Sequence, residues 1–81
     1  MLKIAEGINL EELEKYGFKE ICIIGEWCYR KEYIDCEYEE HITIWIDRRT
    51  VHIKAFELLD TLYDLIQAGI VVKEWVYDYW N

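Results

Sequence analysis

The chain has no serine, so no serine-based triad is available for nucleophilic catalysis. Its glycines, Gly7, Gly17, Gly25 and Gly69, are isolated from one another, whereas a phosphate-cradling loop needs them clustered. The longest apolar runs, residues 21–24 and 68–72, cover four and five positions, against about 20 for a helix that spans a bilayer. No membrane segment is expected. The opening stretch MLKIAEGINLEELEK lacks the apolar centre and small-residue cleavage site of a secretory signal, and the expected location is therefore the cytoplasm. Basic residues are scarce as well: nine Lys and Arg face 17 Asp and Glu, for a net charge of −8. Such a chain repels nucleic-acid backbones, nucleotides and anionic membranes within a Debye length of about 8–10 Å. No direct contact with nucleic acid or membrane is expected. An acidic surface can instead be steered into the basic groove of a protein that itself binds nucleic acid, while in many soluble proteins the same charge serves solubility alone.

What is present is apolar and aromatic. Hydrophobic residues make up 53% of the 81 positions, with four Trp and seven Tyr, too many for a disordered acidic tail. The length fits one domain over residues 1–81 that buries about 60–65% of its unfolded surface. The three cysteines, Cys22, Cys28 and Cys36, cannot all pair within one chain, and a reducing compartment keeps them as thiols.

The pattern along the chain predicts an α+β fold in the order α-β-β-β-α-β, a mainly antiparallel sheet with one amphipathic helix packed on one face. Asn9 as N-cap, the first-turn acids Glu11 and Glu12, and Gly17 as stop frame a short helix over residues 10–16, with Ile8, Leu10 and Leu13 toward the core. Residues 19–29 read as one strand, bulged at Gly25, with Ile21, Ile23, Trp27 and Tyr29 on one parity. Residues 36–47 alternate, with Ile42, Ile44 and Ile46 on one face and His41, Thr43 and Trp45 on the other. RKEYID serves as a hairpin connection and DRRT as a turn into Val51 and Ile53. Residues 55–68 place Leu58, Leu59, Leu62, Leu65 and Ile66 on one side of a helix and Glu57, Asp60, Asp64 and Gln67 on the other. Gly69 ends that helix, and residues 70–79 read as a last strand.

Catalytic and metal-binding signals are weak. A Cys/His nucleophile pair lacks any motif that lowers a thiol pKa. Cys28, Cys36 and His41 are separated by gaps that match no short zinc spacing, and buried cysteines usually pack as small apolar groups; no metal and no cofactor is expected. The densest charge is EYIDCEYEEH, residues 32–41, with five carboxylates in ten positions. Asp35, Glu37 and Glu39 share a strand face at intervals of about 6.6 Å, sparser than the charge each DNA strand carries about every 3.4 Å. The helix acids Glu57, Asp60 and Asp64 and the acids Glu11, Glu12 and Glu14 widen that field, unless they are simply solvated. The tail WVYDYW sets aromatic residues at Trp75, Tyr77, Tyr79 and Trp80, which either close a small core or anchor an interface.

Residues 46–73, IDRRTVHIKAFELLDTLYDLIQAGIVVK, resemble small accessory proteins of bacteriophages and mobile elements of Gram-positive bacteria. In these an ID…T hairpin precedes an LLDTLYDLI helix and a short AG-[IL]-V-x-K strand. The resemblance covers about a third of the chain and carries over no functional residue, because the group shares no catalytic motif. It implies a setting in which small acidic proteins, anti-CRISPR proteins among them, inhibit host defence, some as DNA mimics, and act in the host cytoplasm. The expected function is accordingly a non-enzymatic acidic protein-binding module that inhibits a basic, nucleic-acid-binding host protein. Asp35, Glu37, Glu39 and Glu40 are its expected charged contacts, and Trp75, Tyr77, Tyr79 and Trp80 its expected anchors. A homodimer that uses the aromatic tail, and a small metal-binding protein, are the alternatives.

Overall fold

The computed structural model describes residues 1–34 and 37–74. In chain order these form strand β1 (Leu2–Ile4), a 3-10 helix (Leu10–Tyr16), strands β2 (Lys19–Ile23), β3 (Glu26–Ile34), β4 (Glu39–Trp45) and β5 (Val51–Lys54), helix α1 (Leu59–Gln67) and strand β6 (Val71–Lys73). The fold is α+β. Strands β2-β3-β4-β5 make an antiparallel meander, and β1 pairs with β6 in a second, two-stranded sheet joined to the first by a bridge between Lys3 and Thr50.

Local chemistry accounts for several boundaries. The Asn9 side chain accepts the Glu11 N–H at 3.0 Å, and Gly17 stops the 3-10 helix in a left-handed conformation. At the end of α1 the Ile70 N–H donates to the Leu65 carbonyl and the Gly69 N–H to the Ile66 carbonyl. Both bonds require the residue between helix and strand to sit at φ 75°, which glycine adopts without Cβ strain. The turn after β4 is tied down from a distance: the Arg49 guanidinium donates to the Ala5 and Ile8 carbonyls, at 3.1 and 2.7 Å.

The segment expected as one bulged strand reverses instead. Ile23 pairs with Glu26 around a two-residue loop of Ile24 and Gly25, at φ 49° and 80°. Two positive φ values give the hairpin the twist that neighbouring strands need. The reversal puts Ile21, opposite Cys28, on the other sheet face from Tyr29. RKEYID is largely strand, since β3 runs on to Ile34, and the meander therefore has four strands. The last strand ends at Lys73, with its expected continuation to residue 79 outside the described residues.

Ile42 and Ile44 of β4 face the core with Tyr29 of β3, and Leu58 and Leu65 close over them with Leu13, Phe18, Ile4, Ile70 and Val71. Leu10 and Ile8 pack at the edge of this cluster. Lys31 reaches across from β3 to donate to Thr61 Oγ1 of α1 at 2.7 Å. The helix is shorter than its apolar pattern, and only half of that pattern is covered. At about 100° per residue, Leu65, Leu58 and Leu62 occupy one half of the apolar arc, and Ile66, Leu59 and Tyr63 the other. The first half is buried or packed against the core. In the second, Leu59 and Ile66, both expected in the core, are 46% and 44% exposed.

Candidate functional site

Glu40 is the expected charged contact that the structure corrects. It lies on β4 and is only 3% exposed, because the alternation that points Ile42 and Ile44 inward points residue 40 inward too. Its Oε1 accepts the backbone N–H groups of Phe56 and Leu58, the latter at 3.2 Å. Leu58 is the N-cap of α1 and makes no side-chain capping bond, so a carboxylate from the sheet satisfies its N–H, which the helix start leaves open, and that of Phe56 in the turn before it. The other oxygen, Oε2, is buried with no hydrogen-bond partner.

Glu40 also forms part of the wall of a surface cleft of about 500 Å³, together with Tyr38, Glu39, Lys54, Ala55, Phe56 and Glu57. Tyr38 and Phe56 are exposed, Phe56 to 82%. Glu39 and Glu57 are exposed, and among the described residues neither they nor Lys54 make an ion pair. Leu59, Tyr63 and Ile66 of α1 are exposed too, at spacings that share one helix edge, with Asp60 and Asp64 exposed on the flank. Neither acid has an ion-pair partner among the described residues.

On the opposite face of the meander, Ile23, Arg30, His41, Thr43, Trp45 and His52 line a second, shallower hollow. The Thr43 hydroxyl is 3.2 Å from His41 Nδ1. Burial, with Arg30 and Lys54 adding to it, holds the His41 imidazole below its ordinary pKa. Arg30 Nε lies 3.8 Å from the Glu32 carboxylate. A metal centre does not assemble from the described part of the expected set. Cys28 pairs with Trp45 and His41 with Glu32, four positions apart on the ladder, or about 13 Å. No group of three or more His, Cys, Asp or Glu among the described residues is placed to hold a metal ion. Cys28 is fully buried and burial pushes its thiol pKa up, whereas Cys22 is exposed.

Of the expected contacts, Glu37 and Glu39 are exposed, and Glu40 supports the helix from within. Asp35, Trp75, Tyr77, Tyr79 and Trp80 lie outside the described residues, as does Cys36. Sequence reasoning passed over Phe56, Leu59, Tyr63, Ile66 and Tyr38 as surface groups. One signal was present: an apolar arc that includes Tyr63 is wider than a sheet can cover. Among the described residues no helix is long and apolar enough to cross a membrane. No family model, no curated protein and no solved structure matches the chain.

Proposed function

We propose that the protein is a non-enzymatic binding module for a basic protein. The exposed half of α1 supplies contact area, and the acids around it, with Glu37 and Glu39, steer and align the partner. One observation carries this reading: Leu59, Tyr63 and Ile66 lie exposed along one helix edge, with Phe56 and Tyr38 exposed at an acid-rimmed cleft. Scattered surface hydrophobics need no explanation, but a contiguous apolar strip with aromatic members, ringed by charge, has the composition of an interface centre.

The partner class follows from charge and setting. A net charge of −8 favours a basic groove, and the resemblance to phage accessory proteins supports a nucleic-acid-binding host defence protein as the target, blocked in the anti-CRISPR manner. The carboxylates stand in for phosphates, and Glu57, Asp60 and Asp64 add the density that Glu37 and Glu39 lack by themselves. Pairing of two copies through the same strip is opposed by these acids, which would approach one another across the interface. Sedimentation at several concentrations reads that alternative directly.

The test is comparative capture from a host lysate by the wild type, by Tyr63→Asp and by a Glu39→Lys, Glu57→Lys double variant. A nucleic-acid-binding protein retained by the wild type, lost with either variant and released as salt rises supports the reading. Identical capture by all three proteins overturns it.

A further inference from the structure

The face of the meander turned away from α1 collects cations and neutral donors. The register sets Lys19, Arg30, Thr43 and His52 side by side across four strands, and Glu32, His41 and Lys54 in the next row of the same face. Both helices pack on the other side, with Tyr29, Ile42 and Ile44, which leaves this face uncovered among the described residues. The hollow on it, about 360 Å³, is lined by Arg30, His41, Thr43, His52, Ile23 and Trp45. None of the six is acidic, in a chain with 17 Asp and Glu. The local field also runs against the net charge. Burial first, then Arg30 and Lys54, hold the His41 imidazole below its ordinary pKa, and Glu32 and Glu39 oppose them more weakly. Exposed charges beyond a Debye length of about 8–10 Å are screened, so the −8 of the whole chain does not decide what this hollow attracts. Among the described residues the Arg30 side chain makes no hydrogen bond, and its ion-pair contact is Glu32, 3.8 Å from Nε.

We infer that this hollow binds a phosphate monoester with a planar apolar remainder, the phosphate on Arg30, His41 and His52 and the ring against Trp45. The site lies on the sheet face opposite α1 and is independent of the proposed binding of a basic protein. A carboxylate is satisfied by one arginine through two parallel N–H bonds. A phosphate brings three acceptor oxygens and a second negative charge near neutral pH, which donors arriving from β3, β4 and β5 can share. When the His41 ring is protonated both of its nitrogens donate. Nδ1, 3.2 Å from Thr43 Oγ1, then bonds the hydroxyl, and the Nε2–H is left for the ligand. Trp45 and Ile23 form the apolar part of the wall, with Arg48 over the Trp45 ring at 5.9 Å as a further cation. The charged groups around His41 on this face are Lys19 of β2, Arg30 and Glu32 of β3, Glu39 of β4, and His52 and Lys54 of β5. A bound anion acts in the sense of Glu32 and Glu39 and raises the His41 pKa.

The experiment titrates the full ¹⁵N-labelled chain with phenyl phosphate at constant ionic strength, in parallel with inorganic phosphate and benzoate. The expected result is saturable shifts centred on the Arg30, Thr43 and His52 amides and the Trp45 indole N–H, with weaker binding of the other two compounds. The His41 pKa, read from the carbon-bound ring protons, should rise by about one unit at saturation, the scale of an opposite charge within about 4–6 Å. Arg30→Gln should weaken phenyl phosphate binding about tenfold, the scale of a lost charged hydrogen bond. His52→Gln, at an exposed position, should weaken it severalfold and keeps the test open where Arg30→Gln fails to fold. Shifts that never saturate, benzoate binding equal to phenyl phosphate, or an unmoved His41 pKa each overturn the inference. Unchanged affinity in a folded variant does so as well. Inorganic phosphate bound as tightly as phenyl phosphate removes the ring from the site and also overturns it.

Discussion

Glu40 Oε1 accepts the Leu58 N–H at 3.2 Å, although the two residues are 18 positions apart in sequence. A strand thereby caps the helix that covers it. Removing the acceptor strands two backbone donors, one buried at Leu58 and one part-buried at Phe56. Glu40→Ala is expected to lower stability by about 1–3 kcal/mol, and Glu40→Gln, which retains a carbonyl oxygen, by less than half of that loss. Urea unfolding of the two variants checks the order, and equal losses would contradict it.

The hairpin between β2 and β3 predicts a gain. Ile24 is 98% exposed and sits at φ 49°, a conformation that disfavours a β-branched residue by about 1–2 kcal/mol. Ile24→Asn, which tolerates that region and is at home in a two-residue hairpin loop, is expected to stabilise by about 1 kcal/mol. For a domain of this size that raises Tm by roughly 4–8 °C. An unchanged or lowered Tm would show that the Ile24 side chain has a stabilising contact outweighing its strain.

These two residues also mark where sequence reading stopped. The caps at Asn9 and Gly17, the inward set Ile42 and Ile44, and the Gly69 stop were legible because each rests on a local rule of spacing or φ. The turn at Ile24 was not, because isoleucine is a poor residue for a left-handed position and period-2 counting runs straight through a two-residue loop. Strand β1 was missed since three residues, Leu2–Ile4, carry too short a pattern, and its pairing with β6 is fixed by contacts distant in sequence. Glu40 was assigned outward because charge usually faces water; its own parity with Ile42 said otherwise. For the candidate surface, the outward placement of Glu37, Glu39 and the helix acids was legible from charge density. The exposed half of α1 depends on how far the sheet extends beneath it, which no single segment encodes.

The thiols should separate by reactivity. Cys28 is fully buried, with its pKa pushed up by burial and only partly relieved by Arg30, whereas Cys22 is exposed. Since the thiolate is the reactive form, iodoacetamide at mildly alkaline pH should modify Cys22 in the native protein and spare Cys28 until denaturant is added. Peptide mapping by mass spectrometry reads both sites. Modification of both at similar rates would contradict the buried assignment.

His41 makes stability pH-dependent in a defined direction. Its pKa in the folded protein lies below the ordinary value of 6.5, chiefly because burial disfavours the charged ring, with Arg30 and Lys54 acting in the same sense and Glu32 and Glu39 against it. Below about pH 6.5 the unfolded chain therefore binds more protons at this site than the folded one. The contribution is complete above that pH and is lost as pH falls through the folded pKa. Unfolding free energy of the wild type should thus drop more steeply between pH 7 and pH 5 than that of His41→Gln. Parallel curves for the two proteins would contradict the assignment.

The proposed binding surface is tested most directly by mapping where an arginine-rich peptide touches the ¹⁵N-labelled protein, at several salt concentrations. Contacts are expected to concentrate on residues 37–40 and 54–59 and on Tyr63 and Ile66, with affinity falling as salt rises. Perturbations spread evenly over the acidic residues, or centred on Glu11, Glu12 and Glu14 of the 3-10 helix, would contradict the account.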